Sequence, residues 1–342
     1  MQFEIPQIIL GTSSLGNLYQ AISQQNKTAV INEFLQHSKG IPVFDSAGKY
    51  GAGLALEALN EGLKSLGVRP EQVVISNKLG WYRTELKTPE PVFEKDVWKD
   101  IKNDAVQKMG YHGILECYHQ GNELLGEYKA QFVSVHDPDE YLAAASDNTD
   151  RDARYREILS AYTALFDLKK NGSVKAVGVG AKDWRVIQRL ATDIQLDWVM
   201  IANSMTVHSH PRELSAFIKE LAQKNVHVIN SAVFNGGFLV GSEFYNYQLV
   251  DQETSSGKEL LQWREQFYRL CREHGIEPAK AALNFGLHAP GVRSIAVSSS
   301  SPKRLRETIT MATETVPNAF WQSLLQHGLI ANDSILLSSL LQ

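Results

Sequence analysis

The chain has 342 residues, of which 43% are apolar and 21% charged, with a formal net charge of −4. That length allows two domains or one large α/β barrel, and a chain of this size buries a substantial core without staples. No long basic or acidic block points to nucleic acid or an anionic membrane, and no apolar run approaches a membrane span. The two cysteines, Cys117 and Cys271, are far apart. That fits a reducing compartment and supplies no metal framework. The opening Met1-Gln2-Phe3-Glu4-Ile5-Pro6 has neither the basic start nor the apolar stretch of a signal peptide, so a cytoplasmic location is expected.

Short apolar runs alternate with amphipathic stretches. Strands are expected at 8–10, 42–45, 73–78, 132–136, 174–179, 198–202, 227–231 and 293–297. Helical periodicity marks 54–66, 157–170, 214–223 and 260–274. Continuous apolar strands alternating with helices argue for a parallel sheet covered by helices. Eight such units favour a closed (β/α)8 barrel, one domain over 1–342. The rival is a doubly wound dinucleotide fold. Its glycine fingerprint is matched only by Gly178-Val179-Gly180, in mid-chain, with Asp183 where a third glycine belongs. Segments 79–94 and 234–257 read as long loops, which in a compact domain are usually functional.

Four polar residues fall at or just past strand ends: Asp45, Tyr50, Lys78 and His136. In a barrel those ends converge on one mouth. A phenol titrates near 10 and is a poor base at neutral pH; a neighbouring ammonium favours the phenolate. Lys78 would supply that ammonium, and Asp45 the carboxylate that a buried lysine needs. The His136 imidazole would orient a substrate oxygen, and Tyr50 would move the proton. Taken singly, Asp45 reads as a loop cap, Tyr50 as packing, Lys78 as a surface lysine and His136 as a structural histidine. Their fall at consecutive strand ends suggests one site for proton transfer at a carbonyl oxygen. With no nucleophile elbow or metal cluster evident, hydride transfer from a nicotinamide is the natural partner step.

These residues, in Phe44-Asp45-Ser46-Ala47-Gly48-Lys49-Tyr50-Gly51, Ser76-Asn77-Lys78-Leu79-Gly80 and Val135-His136-Asp137-Pro138, resemble the tetrad of the aldo-keto reductases. That family consists of nicotinamide-dependent (β/α)8 barrels. The resemblance covers nearly the whole chain. It is closest to the aldose 1-dehydrogenase branch (L-fucose, D-threo-aldose, L-galactose). It rests further on the stretch from Gly11 to Tyr19, on Val233-Phe234-Asn235-Gly236-Gly237-Phe238-Leu239, and on Pro317-Asn318-Ala319-Phe320-Trp321 with Gly328-Leu329-Ile330. It implies a C-terminal helical extension and a small sugar or aldehyde as substrate. The implied cofactor residues are Gly11 and Thr12 on the nicotinamide side, Ser231, Phe234, Asn235 and Gly236 along the diphosphate, and Ser298, Ser299 and Arg304 near the adenosine phosphate.

The chain departs from the family pattern beside the nicotinamide. Gly180 is followed by Ala181 and Lys182 rather than an amide-bearing pair. After the sixth expected strand it reads Ala202-Asn203-Ser204-Met205, without the ring expected to stack on the cofactor, which leaves Asn203 as the amide for the carboxamide. Ser298 stands where NADP-preferring relatives often carry lysine, which leans the choice between NAD and NADP slightly toward NAD. The substrate expectation is an aldose oxidised at C1 or a small aldehyde reduced. A nicotinamide-sensing barrel with weak turnover and a pyridoxal-type aldehyde oxidoreductase are the alternatives. Trp81, just after Lys78, is a candidate substrate wall, equally readable as loop packing. His208-Ser209-His210 lacks the partners of a metal site and reads as a solvent-facing loop; Trp263 and Phe267 read as core.

Overall fold

The computed structural model describes residues 4–333 together with Leu336, Ser338 and Leu340. In chain order it begins with β1 (Ile8–Gly11), α1 (Gln24–His37), β2 (Val43–Ala47), α2 (Leu54–Ser65) and β3 (Val74–Leu79). A pair β4 (Trp81–Glu85) and β5 (Asn103–Gln107) comes next, then α3 (Gly110–Leu124), β6 (Phe132–His136), α4 (Pro138–Ala143) and α5 (Asn148–Lys170). There follow β7 (Ala176–Ala181), α6 (Trp184–Asp193), β8 (Trp198–Ala202), α7 (Arg212–Gln223) and β9 (His227–Ser231). The last part holds β10 (Phe244–Tyr245), β11 (Gln248–Leu249), α8 (Ser255–His274), α9 (Pro278–His288), β12 (Val292–Val297), α10 (Pro302–Thr313) and α11 (Asn318–Gln326). Eight strands form a closed barrel in the order β1-β12-β9-β8-β7-β6-β3-β2, with helices between them, as the alternation of runs predicts. Helix α11 follows α10 toward the C-terminus, and most of the chain after 333 lies outside the described residues.

Contacts group the chain into two compact units. One comprises 1–181, 185–199 and 296–306, the other 182–184, 200–295 and 307–342. In the first, β2, β6 and β7 are buried along their whole length, which is why they lack the in–out polar alternation of a half-buried strand. Phe34 of α1 packs edge-on against Phe44 of β2 with ring centroids 5.3 Å apart. The mid-chain Gly178-Val179-Gly180 has a packing role: a Cβ on Gly178 would lie 2.2 Å from the Trp198 ring, a fully buried side chain. No phosphate needs to be invoked for that glycine. Parallel pairing places Gly11 beside Asp45, Ala47 beside Lys78, Lys78 beside Ser134, and His136 beside Gly180. The polar residues of β2, β3 and β6 therefore lie in neighbouring rows.

Two differences from the sequence expectation have local causes. Helix α5 starts nine residues before the predicted 157, because Asp147 caps it by accepting from the Asp150 N–H at 2.9 Å. Its first turns are polar and exposed and carry no apolar periodicity. The first expected loop contains β4, which pairs antiparallel with β5, Trp81 opposite Gln107. These strands are only partly buried and so lack an apolar signature. Arg83 ties that ribbon to the start of α2 through paired bonds of 2.7 Å to Glu57 and one of 2.6 Å to the Ala52 carbonyl.

In the second unit, the expected loop 234–257 folds back as the small ribbon β10–β11. Its turn residues Asn246 and Tyr247 both have positive φ, +49° and +70°, as a two-residue hairpin of this hand requires. Thr254 then caps α8, which ends on Gly275 in the left-handed region. Phe267 is fully buried, as expected of core, and Trp263 stacks on it at 5.3 Å. His208 and His210 are part-buried rather than on an open loop. The first is half-buried, 2.9 Å from the Tyr245 hydroxyl; the second accepts from the Ala331 N–H at 2.9 Å.

Candidate active site

Asp45 sits within β2 and is 2% exposed. Thr12, at the end of β1, anchors its backbone: the Thr12 N–H and hydroxyl both donate to the Asp45 carbonyl, at 2.9 and 3.1 Å. The Asp45 carboxylate forms a buried ion pair with Lys78, itself 3% exposed on β3. The same ammonium donates to the Tyr50 hydroxyl at 3.1 Å and lies 4.8 Å from the Tyr50 ring centroid.

Tyr50 is placed by the tight turn after β2, its N–H bonded to the Ala47 carbonyl at 3.1 Å. A second turn, carrying Gly16, presses against it. A Cβ on Gly16 would come within 2.7 Å of the Tyr50 carbonyl carbon, and one on Gly51 within 2.3 Å of the Gly16 oxygen. Only a residue without Cβ permits that approach. His136 ends β6, 4% exposed, with its ring edge-on to Tyr50 at 5.5 Å and Nε2 3.6 Å from the Asp137 carboxylate. All four residues expected at one mouth are thus brought together.

Electrostatics here differ in balance from the sequence argument. Burial pushes the Tyr50 phenol above its ordinary value. The Lys78 ammonium pulls it down, as expected, but does not win, and Asp45 adds to the rise. Tyr50 therefore holds its proton at neutral pH. Lys78 shows the opposite balance: burial works to strip its proton, yet Asp45 and Tyr50 together carry it above the ordinary lysine value. The thiols of Cys117 and Cys271 are buried and pushed up to about 12, which leaves neither as a nucleophile at neutral pH.

Trp81 begins β4, half-buried, 5.7 Å from the Phe93 ring. Two neighbours escaped the sequence reading. Trp98, 6% exposed, packs against the Tyr50 ring at 5.8 Å. Lys49, 4% exposed, meets Glu94, Asp137 and Glu140 within 3.2 Å. The only sequence signal for Trp98 is an isolated Val97-Trp98 pair in a charged stretch; for Lys49 there is none, because burial of a lysine is decided by its neighbours.

The expected cofactor residues fall into two sets. In the first unit, Gly11 ends β1 and Thr12 follows it, and the turn beyond them meets the segment after β12. Ser13 and Ser298 hydroxyls are 3.4 Å apart, and Ser14 donates to the Ser299 carbonyl at 2.9 Å. Ser301 caps the following helix, receiving the Arg304 N–H at 3.4 Å, with the Arg304 side chain exposed and Arg306 engaged by Glu33. In the second unit, Ser231 ends β9 and its carbonyl receives the Asn203 N–H at 3.2 Å. Asn235 donates to the Asn203 carbonyl at 3.2 Å, and Phe234 and Gly236 flank it. The Asn203 and Asn235 side-chain oxygens are buried without a donor among the described residues. A carboxamide or ribose hydroxyl is the donor such acceptors lack, so these residues fit a nicotinamide nucleotide. Met205 is fully buried, its carbonyl taken by Asn230, and offers no stacking surface.

Among the described residues no helix is long and apolar enough to cross a membrane, and no cluster of three metal-binding side chains occurs. The model of the aldo/keto reductase family matches residues 7–327. The chain is 27% identical over 340 residues to a D-threo-aldose 1-dehydrogenase from a Pseudomonas species, with 95% of each chain covered. It is 25% identical over 334 residues to a pyridoxal 4-dehydrogenase from Microbacterium luteolum, with 94% of each covered. In structure it is similar to a glycerol dehydrogenase from Gluconobacter oxydans, with a TM-score of 0.68 at 15% identity over 97% of this chain and 96% of that one. With the match spanning both ends of the barrel, the chain belongs to the aldo/keto reductase family and is a nicotinamide-dependent oxidoreductase.

Proposed function

We propose that this protein oxidises an aldose at C1 to the lactone, or in reverse reduces a small aldehyde, with Tyr50 moving the proton. The observation that carries this reading is the Lys78 ammonium, bonded at once to the Asp45 carboxylate and, at 3.1 Å, to the Tyr50 hydroxyl. In reduction, the buried phenol gives its proton to the carbonyl oxygen as negative charge builds there. Lys78 stabilises the phenolate left behind, and Asp45 keeps Lys78 charged. In oxidation the base is the Tyr50 phenolate, a minor form at neutral pH that the Lys78 ammonium favours against burial; it takes the hydroxyl proton, and His136 orients the oxygen. The nicotinamide, when bound, accepts or supplies the hydride. Gly11, Thr12, Asn203, Ser231, Phe234, Asn235, Gly236, Ser298, Ser299 and Arg304 are the residues assigned to hold it. With Ser298 in place of a lysine, Arg304 is the cation left for a 2′-phosphate, and the reading leans to NAD. The buried free thiols suit work in the cytoplasm.

The aldose reading draws on the D-threo-aldose 1-dehydrogenase relative. A second reading, a pyridoxal-type aldehyde, is favoured by the Trp98 ring beside Tyr50, with Trp81 packed on the same apolar cluster, which suits a flat aromatic substrate, and by the pyridoxal 4-dehydrogenase relative. The test is a panel of aldoses, pyridoxal and small aldehydes with each cofactor, run on wild type and Tyr50→Phe. Loss of a positioned acid–base group is expected to lower kcat by about 10²-fold or more, with NADH still bound in a fluorescence titration. Near-wild-type turnover in Tyr50→Phe refutes the assignment. Tight cofactor binding with no turnover of any panel member would turn the reading to a nicotinamide sensor.

A further inference from the structure

We propose that Lys49 is a positioning residue of the substrate site, acting through Glu94 to fix the Trp98 indole beside Tyr50. This rests on the reading of Tyr50 as the reacting group. Lys49 precedes Tyr50 in the chain, yet its ammonium reaches sideways into a nest of carboxylates. Nζ lies 2.9 Å from Glu94, 2.8 Å from Glu140 and 3.2 Å from Asp137, and 5.3 Å from the Trp81 ring centroid. Burial opposes its charge, and the three carboxylates more than restore it, so Lys49 stays an ammonium. A lysine this buried needs partners for its donors; here it bonds Asp137 and Glu140 at the start of α4 and pairs with Glu94 from a separate segment.

Glu94 has two ends in this arrangement. One oxygen meets Lys49; the other accepts the Trp98 indole N–H at 2.6 Å. The path of the backbone through Trp98 is held independently. Leu18 bridges Trp98, Tyr19 donates to the Val97 carbonyl at 2.8 Å, and Lys99 donates to the Asn17 carbonyl at 3.0 Å. Those bonds set where the Trp98 Cα lies; the ring is held by its packing with Ala52, Ile101 and Ala105 and by its polar bond to Glu94. The indole N–H bond to Glu94 selects the ring orientation, tilted 38° against Tyr50 at 5.8 Å, and Lys49 holds Glu94 in place. A substrate packed on that ring is placed relative to the phenol through this relay, and displacements of about 1 Å at a reacting centre are costly.

The experiment uses the full chain with saturating cofactor and the best substrate of the panel. Lys49→Met is expected to raise KM about 5-fold or more while kcat changes less than about 3-fold, and Lys49→Arg to restore most of the KM. Trp98→Phe should give the same split, and the double variant should be no worse than Trp98→Phe alone, as for residues that act in series. Glu94→Ala cuts the relay at a part-exposed carboxylate and should reproduce the split even if Lys49→Met folds poorly. The Trp98 emission, taken as the difference between wild type and Trp98→Phe, should shift to the red when the same difference is taken in the Lys49→Met background. That readout needs no substrate, so it decides the relay even where the panel finds none. A fall in kcat with KM unchanged, full additivity of Lys49→Met and Trp98→Phe, or an unshifted Trp98 emission would overturn the proposal.

Discussion

Asp45→Ala tests the heart of the site. Asp45 and Lys78 are 2% and 3% exposed, so the pair is out of reach of solvent screening. Removing one partner of a buried ion pair costs about 3–5 kcal/mol, because the other is left as an uncompensated charge. A chain of 342 residues gains about 0.7 kcal/mol per kelvin of unfolding entropy, so the midpoint should fall by about 4–7 °C. The sign at neutral pH is secure. The folded value of Lys78 lies above its unfolded one, so its contribution is complete below about 10.4 and is lost only as pH rises from there through the folded value.

Activity should fall with stability for a separate reason. Without Asp45, burial works unopposed by the nearest carboxylate to strip Lys78 of its proton. The phenolate of Tyr50 then loses its counter-charge, and each lost unit of acidity is about 1.4 kcal/mol, or tenfold in rate if expressed fully. A kcat about 10–100-fold lower is expected. The double variant Asp45→Ala with Lys78→Met separates the two effects: with no charge left to bury, the thermal midpoint should recover most of the loss while turnover does not. Scanning calorimetry and steady-state kinetics on the three proteins suffice. An Asp45→Ala protein as stable and as active as wild type would refute the reasoning, as would a double variant less stable than the single.

Two further outcomes follow from packing and burial. Gly178→Ala should destabilise by about 1–3 kcal/mol, read as a lower urea midpoint, since its Cβ would sit inside the Trp198 ring contact; an unchanged midpoint would mean that ring moves freely. Burial, with the His210 charge behind it for His208 and Arg293 for His227, holds both histidines down to about 4. The unfolded chain takes up those protons first, so stability should be full above about 6.5 and decline as pH falls toward 4. His208→Asn should flatten part of that slope in urea titrations at pH 7, 5 and 4; an identical slope would remove His208 from the account.

Much of the barrel was legible because its strands are buried on both faces. β6, β8 and β9 match the expected runs residue for residue, and the other barrel strands lie within two residues of them at each end. What lay outside was polar or half-buried. The β4–β5 ribbon and the first turns of α5 are held by pairing and by a cap rather than by an apolar stripe, so periodicity passes over them. The four strand-end residues were found from their types and their places after apolar runs, since a carboxylate, an ammonium, a phenol and an imidazole carry their chemistry with them.

Residue order and type alone therefore determined the alternation of strands and helices, the neighbours β2, β3 and β6, and which groups stand at their ends. The tertiary structure decided the balance among those groups. Tyr50 is raised rather than lowered because burial outweighs the single ammonium beside it, and burial is a property of everything packed around a residue. It also decided that Lys49, one position from Tyr50, turns into a nest of carboxylates drawn from the 94 and 137–140 segments, and that Trp98 reaches the phenol ring. Such meetings join residues up to 91 positions apart, and no local pattern records them, since their partners are chosen by the closure of the fold.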